Sequence, residues 1–112
     1  MSRTYEPYIP RGKSELLDML GLLMLSSPTF IDDSGYFPER NVATVFHGLN
    51  EGLGLIRRQL GDERYLAAMD ISNKMRAYFE ADPEDKTGAA DAGRQLVYEL
   101  EDLLKQRKTE TR

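Results

Sequence analysis

Between Val42 and Leu60 the apolar residues Val42, Val45, Phe46, Leu49, Leu53, Ile56 and Leu60 recur at steps of three and four, with one adjacent pair. A helix turns every 3.6 residues, so all seven fall on one narrow stripe. Tyr65, Ala68, Met69, Ile71, Met75 and Phe79 repeat the rhythm, as do Ala89, Ala92, Gly93, Leu96, Val97, Leu100, Leu103 and Leu104. No alternation of period two competes with it. A helix with one apolar stripe must hide that stripe against other helices. The expected fold is therefore all-α: one antiparallel bundle of about four helices spanning residues 1–112. Pro7 and Pro10 make residues 1–13 an extended arm, and residues 105–112 form a partly frayed basic tail.

Boundary residues sharpen this outline. Ser14 suits the N-cap of a first helix, with Glu15 and Asp18 near its positive end. Ser26-Ser27-Pro28 should end it. Eight of the ten residues from Leu16 to Leu25 are apolar, leaving Asp18 and Gly21 as the exceptions. A helix apolar on every side belongs either at the centre of the bundle or under a contact with a second copy. The second helix is expected to begin with Pro38 in its first turn and to reach Leu60. Gly61 would then stop it in the left-handed conformation. Asp62 should cap the third helix and Asp82-Pro83 end it, with Asp85 or Thr87 capping the fourth.

Composition limits the chemistry. The chain has 112 residues and no cysteine. Disulfides, thiolate nucleophiles and cysteine-rich zinc sites are thereby excluded. Net charge is −4, distributed as −1 over residues 1–61, −6 over 62–104 and +3 over 105–112. An acidic second half does not suit a reader of duplex nucleic acid, which must neutralise phosphates. It suits a basic protein partner. The N-terminus lacks a signal core, and the longest apolar stretch is far shorter than the ~20 residues that span a bilayer. Soluble and cytoplasmic is the expectation, with neither nucleic acid nor membrane as partner.

Catalytic constellations are missing. His47, the single histidine, shares the outer face of the second helix with Arg40, Thr44, Glu51 and Arg58. A zinc site needs three or four ligands and this face offers two, so no metal, cofactor or catalytic residue is assigned. Glu80, Asp82, Glu84 and Asp85 lack the spacing and central glycine of a calcium loop and read as a solvated acidic corner. Gly48, Gly52 and Gly54 cost helix stability at ~1 kcal/mol each against alanine, which calls for a reason. Close helix–helix approach is the favoured one, with Gly48 and Gly52 one turn apart facing another element and Gly88 and Gly93 serving the same end. A kink at Gly52–Gly54 is the second account. The alternative function is a small enzyme or ligand-binding protein using this glycine-rich turn near His47 and Glu51.

The remaining signal points to a protein partner. Tyr98 lies opposite the apolar stripe of the last helix, surrounded by Asp91, Arg94, Glu99, Glu101 and Asp102. Aromatic side chains on a charged face are enriched at interaction surfaces. Leu55, also off its stripe, marks a second contact with the first helix. In size, acidity, absence of cysteine and the acidic helical stretch from Asp62 to Asp102, the chain resembles the small acidic helical immunity proteins of bacterial toxin systems. That resemblance implies binding to a cognate toxin and blocking its active site or its movement, and it carries across no individual residue.

Overall fold

A computed structural model describes residues 8–30 and 41–105. The described residues form five helices in order: α1 (Lys13–Ser26), α2 (Val42–Leu55), α3 (Arg57–Leu60), α4 (Asp62–Ala81) and α5 (Ala89–Lys105). No strand occurs among the described residues. The protein is all-α, and no described helix is long and apolar enough to cross a membrane. α4 packs chiefly on α5 and α2, while α1 lies against α5 and α2. Phe79, late in α4, meets Gly93, early in α5, and Arg64, early in α4, donates to the Leu103 carbonyl at 2.6 Å. Those two contacts set α4 and α5 antiparallel.

Three phenylalanines meet at the centre. Phe30 lies edge-on to Phe46 at 5.9 Å and to Phe79 at 5.3 Å, and Phe46 tilts against Phe79 at 6.2 Å. Such edge-to-face pairs add about 0.5–1.5 kcal/mol each to what burial supplies. Phe30 is fully buried with a backbone φ of 61°, an uncommon conformation for a bulky residue. The segment after α1 is thereby bent back into the core. Leu16, Leu20, Leu49, Leu53, Met75, Val97 and Leu100 complete the shell.

Several boundaries differ from expectation, each for a local reason. α1 begins at Lys13 with Gly12 at the cap position, so Ser14 is not its N-cap. Instead Glu15 Oε1 reaches back to accept the Arg11 N–H at 2.9 Å. α2 begins at Val42 rather than with Pro38 in its first turn; Pro38 lies outside the described residues. Asn41 and Thr44 build a reciprocal box, Thr44 N–H to Asn41 Oδ1 at 3.0 Å and Asn41 N–H to Thr44 Oγ1 at 2.9 Å. The second helix also divides. Ile56 (φ −106°, ψ 17°) separates α2 from α3, directly after the glycine-weakened stretch ending at Gly54, and the offset still buries Ile56 and Leu60. Gly61 ends the stretch through Leu60 as expected, with a positive φ of 85° and its N–H bonded to the Arg57 carbonyl at 2.8 Å, and its ψ of 154° leads directly into α4 as that helix's cap residue. Asp62 is the first residue of α4, held at 2.9 Å by Arg57.

The α4–α5 connection contains the largest departure. Asp82, expected in a solvated corner, is 2% exposed. Its Oδ1 accepts the N–H groups of Lys86 (2.7 Å) and Thr87 (3.1 Å), and its Oδ2 accepts that of Ala90 (3.0 Å). Thr87 Oγ1 adds a bond from the Ala89 N–H at 3.2 Å. Gly88, with φ 93°, completes the turn and does not serve helix packing. One carboxylate thus satisfies donors that the start of α5 would otherwise leave open.

The Ala90 N–H bond is the main reason Asp82 titrates low, falling from its ordinary 3.8 to about 2; the bonds from Lys86 and Thr87 add to it and burial opposes it. A depressed carboxylate stabilises the fold above its unfolded pKa, and that contribution is lost as pH falls through the folded value. Asp82→Asn is expected to be less stable than the native chain at neutral pH. Urea titrations should show that difference shrinking between about pH 4 and pH 2, where the native carboxyl gains its proton.

Candidate interaction face on the last helix

α5 hides Ala90, Gly93, Val97, Leu100 and Leu104 and turns Asp91, Tyr98, Glu99, Asp102 and Lys105 outward. Tyr98 is 50% exposed, as its position opposite the stripe requires. Glu101 is half-buried at the edge of the same face. Among the described residues, Glu99, Glu101 and Asp102 have no ion-pair partner. Their charge therefore faces solvent around an aromatic ring.

Asp91 and Arg94 belong partly to the fold. The Arg94 side chain is 18% exposed. Its Nε donates to Ser27 Oγ at 2.8 Å, Nη2 to Asp85 Oδ2 at 2.9 Å and Nη1 to Asp91 Oδ1 at 2.6 Å. One guanidinium thus ties the end of α1, the α4–α5 turn and the first turn of α5 together. The planar fork with its fixed donors suits this better than a lysine would. Asp85, with φ 58°, is the partner it grips in two places, the second Nη1 to Oδ1 at 3.3 Å. Arg94 is committed within the chain, and Asp91 shares its charge with Asp85.

Other expected features sort as follows. His47 and Glu51 are exposed on α2, and no group of three metal-binding side chains occurs among the described residues. The open groove beside α3 is lined by Gly54, Leu55, Arg57, Arg58, Gly61 and Asp62 and includes neither of the pair. Arg57 is occupied there, bonded to Asp62 and stacked 4.7 Å over the Tyr65 ring. Gly48 and Gly52 admit a close neighbour, but it is the extended N-terminal arm and not a helix, with Tyr8 over Gly48 and Pro10 over Gly52. Gly93 admits the Phe79 ring and is the true helix–helix contact. Leu55 is exposed, so it is not packed on the first helix. Within Leu16–Leu25, the residues Leu16, Met19, Leu20 and Leu23 are buried inside the chain, while Leu22 and the 84%-exposed Leu25 point out. The first helix is thus one-sided rather than enclosed.

Not expected from the sequence were the backbone bonds of Asp82, the Asn41 cap and the Ser72–Asn50 bond, in which the buried Ser72 hydroxyl of α4 donates to Asn50 Oδ1 of α2 at 2.6 Å. Asn41 carried a legible signal, since Asn-x-x-Thr before an apolar stripe is a capping pattern. No family model, curated protein or solved structure matches this chain.

The division between structural and presented residues can be measured. Arg94→Ala removes three sets of charge-assisted bonds and should lower unfolding free energy by about 1–3 kcal/mol. Tyr98→Ala should change it by less than about 0.5 kcal/mol, as surface substitutions do. Chemical denaturation of both variants checks the contrast.

Proposed function

We propose that this chain is a protein-interaction module, an immunity-like inhibitor that engages a basic partner through the outward face of α5. The observation supporting this reading is Tyr98, half-exposed between carboxylates that the described residues leave unpaired. A tyrosine buries large area at low entropic cost, and its hydroxyl can bond once water leaves. Carboxylates around it would steer a cationic surface into place and fix its orientation. Tyr98, Glu99, Glu101 and Asp102 form the contact, with Asp91 at its margin. Arg94 acts behind them by holding α5 in place.

The alternative, a ligand site at the glycine-rich turn, has less to rest on. The Gly48–Gly52 side of α2 is covered by the arm, and His47 and Glu51 stand on an exposed side. The groove beside α3 is lined by neither of them.

The test is partner capture from the native cell by the purified chain, compared with Tyr98→Ala and with the triple reversal Glu99→Lys/Glu101→Lys/Asp102→Lys. The native chain should retain a basic protein in a salt-sensitive manner. Tyr98→Ala should weaken its hold by about 30-fold or more, the effect of a central anchor, and the triple reversal should abolish it. Circular dichroism should be unchanged throughout. Equal capture by all three chains would remove this face from the account.

A further inference from the structure

α1 and α5 pack along a seam, and the bond from Arg94 Nε to Ser27 Oγ at 2.8 Å fixes which edge of α5 borders it. Arg94, Tyr98 and Glu101 stand at i, i+4 and i+7, so all three follow the edge that faces α1. On α1, the Met19 methyl lies 3.8 Å from where a Cβ of Gly48 would stand, which turns that edge toward α2. Leu17, Gly21 and Met24 repeat the i, i+4, i+7 spacing on the other edge, beside α5.

The α1 edge of the seam is more apolar and more open than folding requires. Leu17 and Met24 are only half-buried against the core, and Leu25 next to them is exposed. Gly21 is exposed in the middle of the helix, and no described atom lies within 4 Å of its Cβ position. A mid-helix glycine weakens the helix, and no contact within the described chain uses the gap it leaves. The gap lets a second backbone approach α1 from outside. Ser27, two residues past Leu25, holds Arg94, and Tyr98 follows Arg94 by one turn. Leu25 and Tyr98 therefore flank a single contact and fall within one interface footprint.

Charge decides what can lie there. α1 has one cation and two carboxylates, and α5 has two cations and four carboxylates, a net of −3 for the pair. A second copy of this chain would set those carboxylates against their like, and an anionic lipid surface would be repelled in the same way. A helix with one apolar stripe between cationic flanks satisfies both the open leucines and the carboxylates.

We propose that the partner engages this chain through a basic amphipathic helix laid along the α1–α5 seam. Its apolar stripe covers Leu17, Gly21, Met24 and Leu25, and its cations meet Glu101 and Asp102 beside Tyr98. This inference rests on the α5 reading above and extends that contact onto α1.

The probe is a fluorescein-labelled helical peptide of about 18 residues, with one leucine stripe and lysine on its other faces. It is titrated by anisotropy into full-length chains. The native chain should bind it in a salt-sensitive manner. Gly21→Gln should melt at a higher temperature, since glutamine is the better helix former, yet bind about tenfold more weakly because the gap is filled. Leu25→Ser should keep its melting temperature and lose a similar factor. A peptide of identical composition with its leucines scattered should also bind at least about tenfold more weakly. Weaker binding by Tyr98→Ala, with Gly21→Gln and Leu25→Ser binding as the native chain does, would keep the α5 face and overturn the seam. Weaker binding by the α1 variants alone would overturn the α5 reading and the seam placement with it. No binding by the native chain, or equal binding of the two peptides, also overturns the proposal. So does native-chain dimerisation in light scattering that Leu25→Ser abolishes, which would give the strip to a second copy.

Discussion

Phe79 lies against Gly93, its ring carbons 2.7–3.0 Å from where a Cβ would stand, and most of the architecture depends on that approach. The same ring touches Phe30 and Phe46. A single side chain from α4 therefore joins α5, α2 and the segment after α1. Any residue but glycine at position 93 would push α5 away from α4 or drive the ring into the other two phenylalanines. Interiors packed at crystal-like density have little room for either. The glycine weakens α5 as an isolated helix and is retained because the assembled core needs the gap.

Once α5 can approach, polar contacts decide where it starts and how it is rotated. Asp82 fixes the start by collecting three backbone donors, and Arg94 fixes the rotation by bonding Ser27, Asp85 and Asp91. With those two set, Tyr98 and Asp102 have one direction left, which is outward. The acidic residues of the second half therefore divide into two kinds. Asp82, Asp85 and Asp91 hold the helix in place, whereas Glu99 and Asp102 are exposed and have no ion-pair partner among the described residues. Net charge alone treats them as equal.

Periodicity made the helices legible because burial forces apolar residues into register with the helical turn. The α4 stripe from Tyr65 to Phe79 and the α5 stripe from Gly93 to Leu104 are recovered in the packing, although the first turn of α5 buries Ala90 where Ala89 and Ala92 were expected. Tyr98, read as outward from its offset, is outward. Features set by three-dimensional neighbours were not legible. The stripe through Ile56 and Leu60 stays apolar across the helix break, so periodicity does not reveal the break at Ile56. Asp82 looks like any residue of an acidic run, since its value comes from N–H groups that converge only after the chain turns. Gly48 and Gly52 advertised a close neighbour without naming it, and the neighbour is the arm. The exposed Leu25 shows the reverse limit: an all-apolar stretch such as Leu16–Leu25 need not be enclosed.

The keystone contact can be tested through the sign of a single-methyl change. Alanine exceeds glycine in helix propensity by ~1 kcal/mol, so Gly93→Ala should stabilise α5 if nothing opposes it. Crowding of Phe79 opposes it, and overpacking typically costs about 1–3 kcal/mol. Gly54, with nothing within 4 Å of its Cβ position, serves as the control. Denaturant unfolding should show Gly54→Ala more stable than the native chain and Gly93→Ala less stable by up to about 2 kcal/mol. Stabilisation by both substitutions would contradict the account.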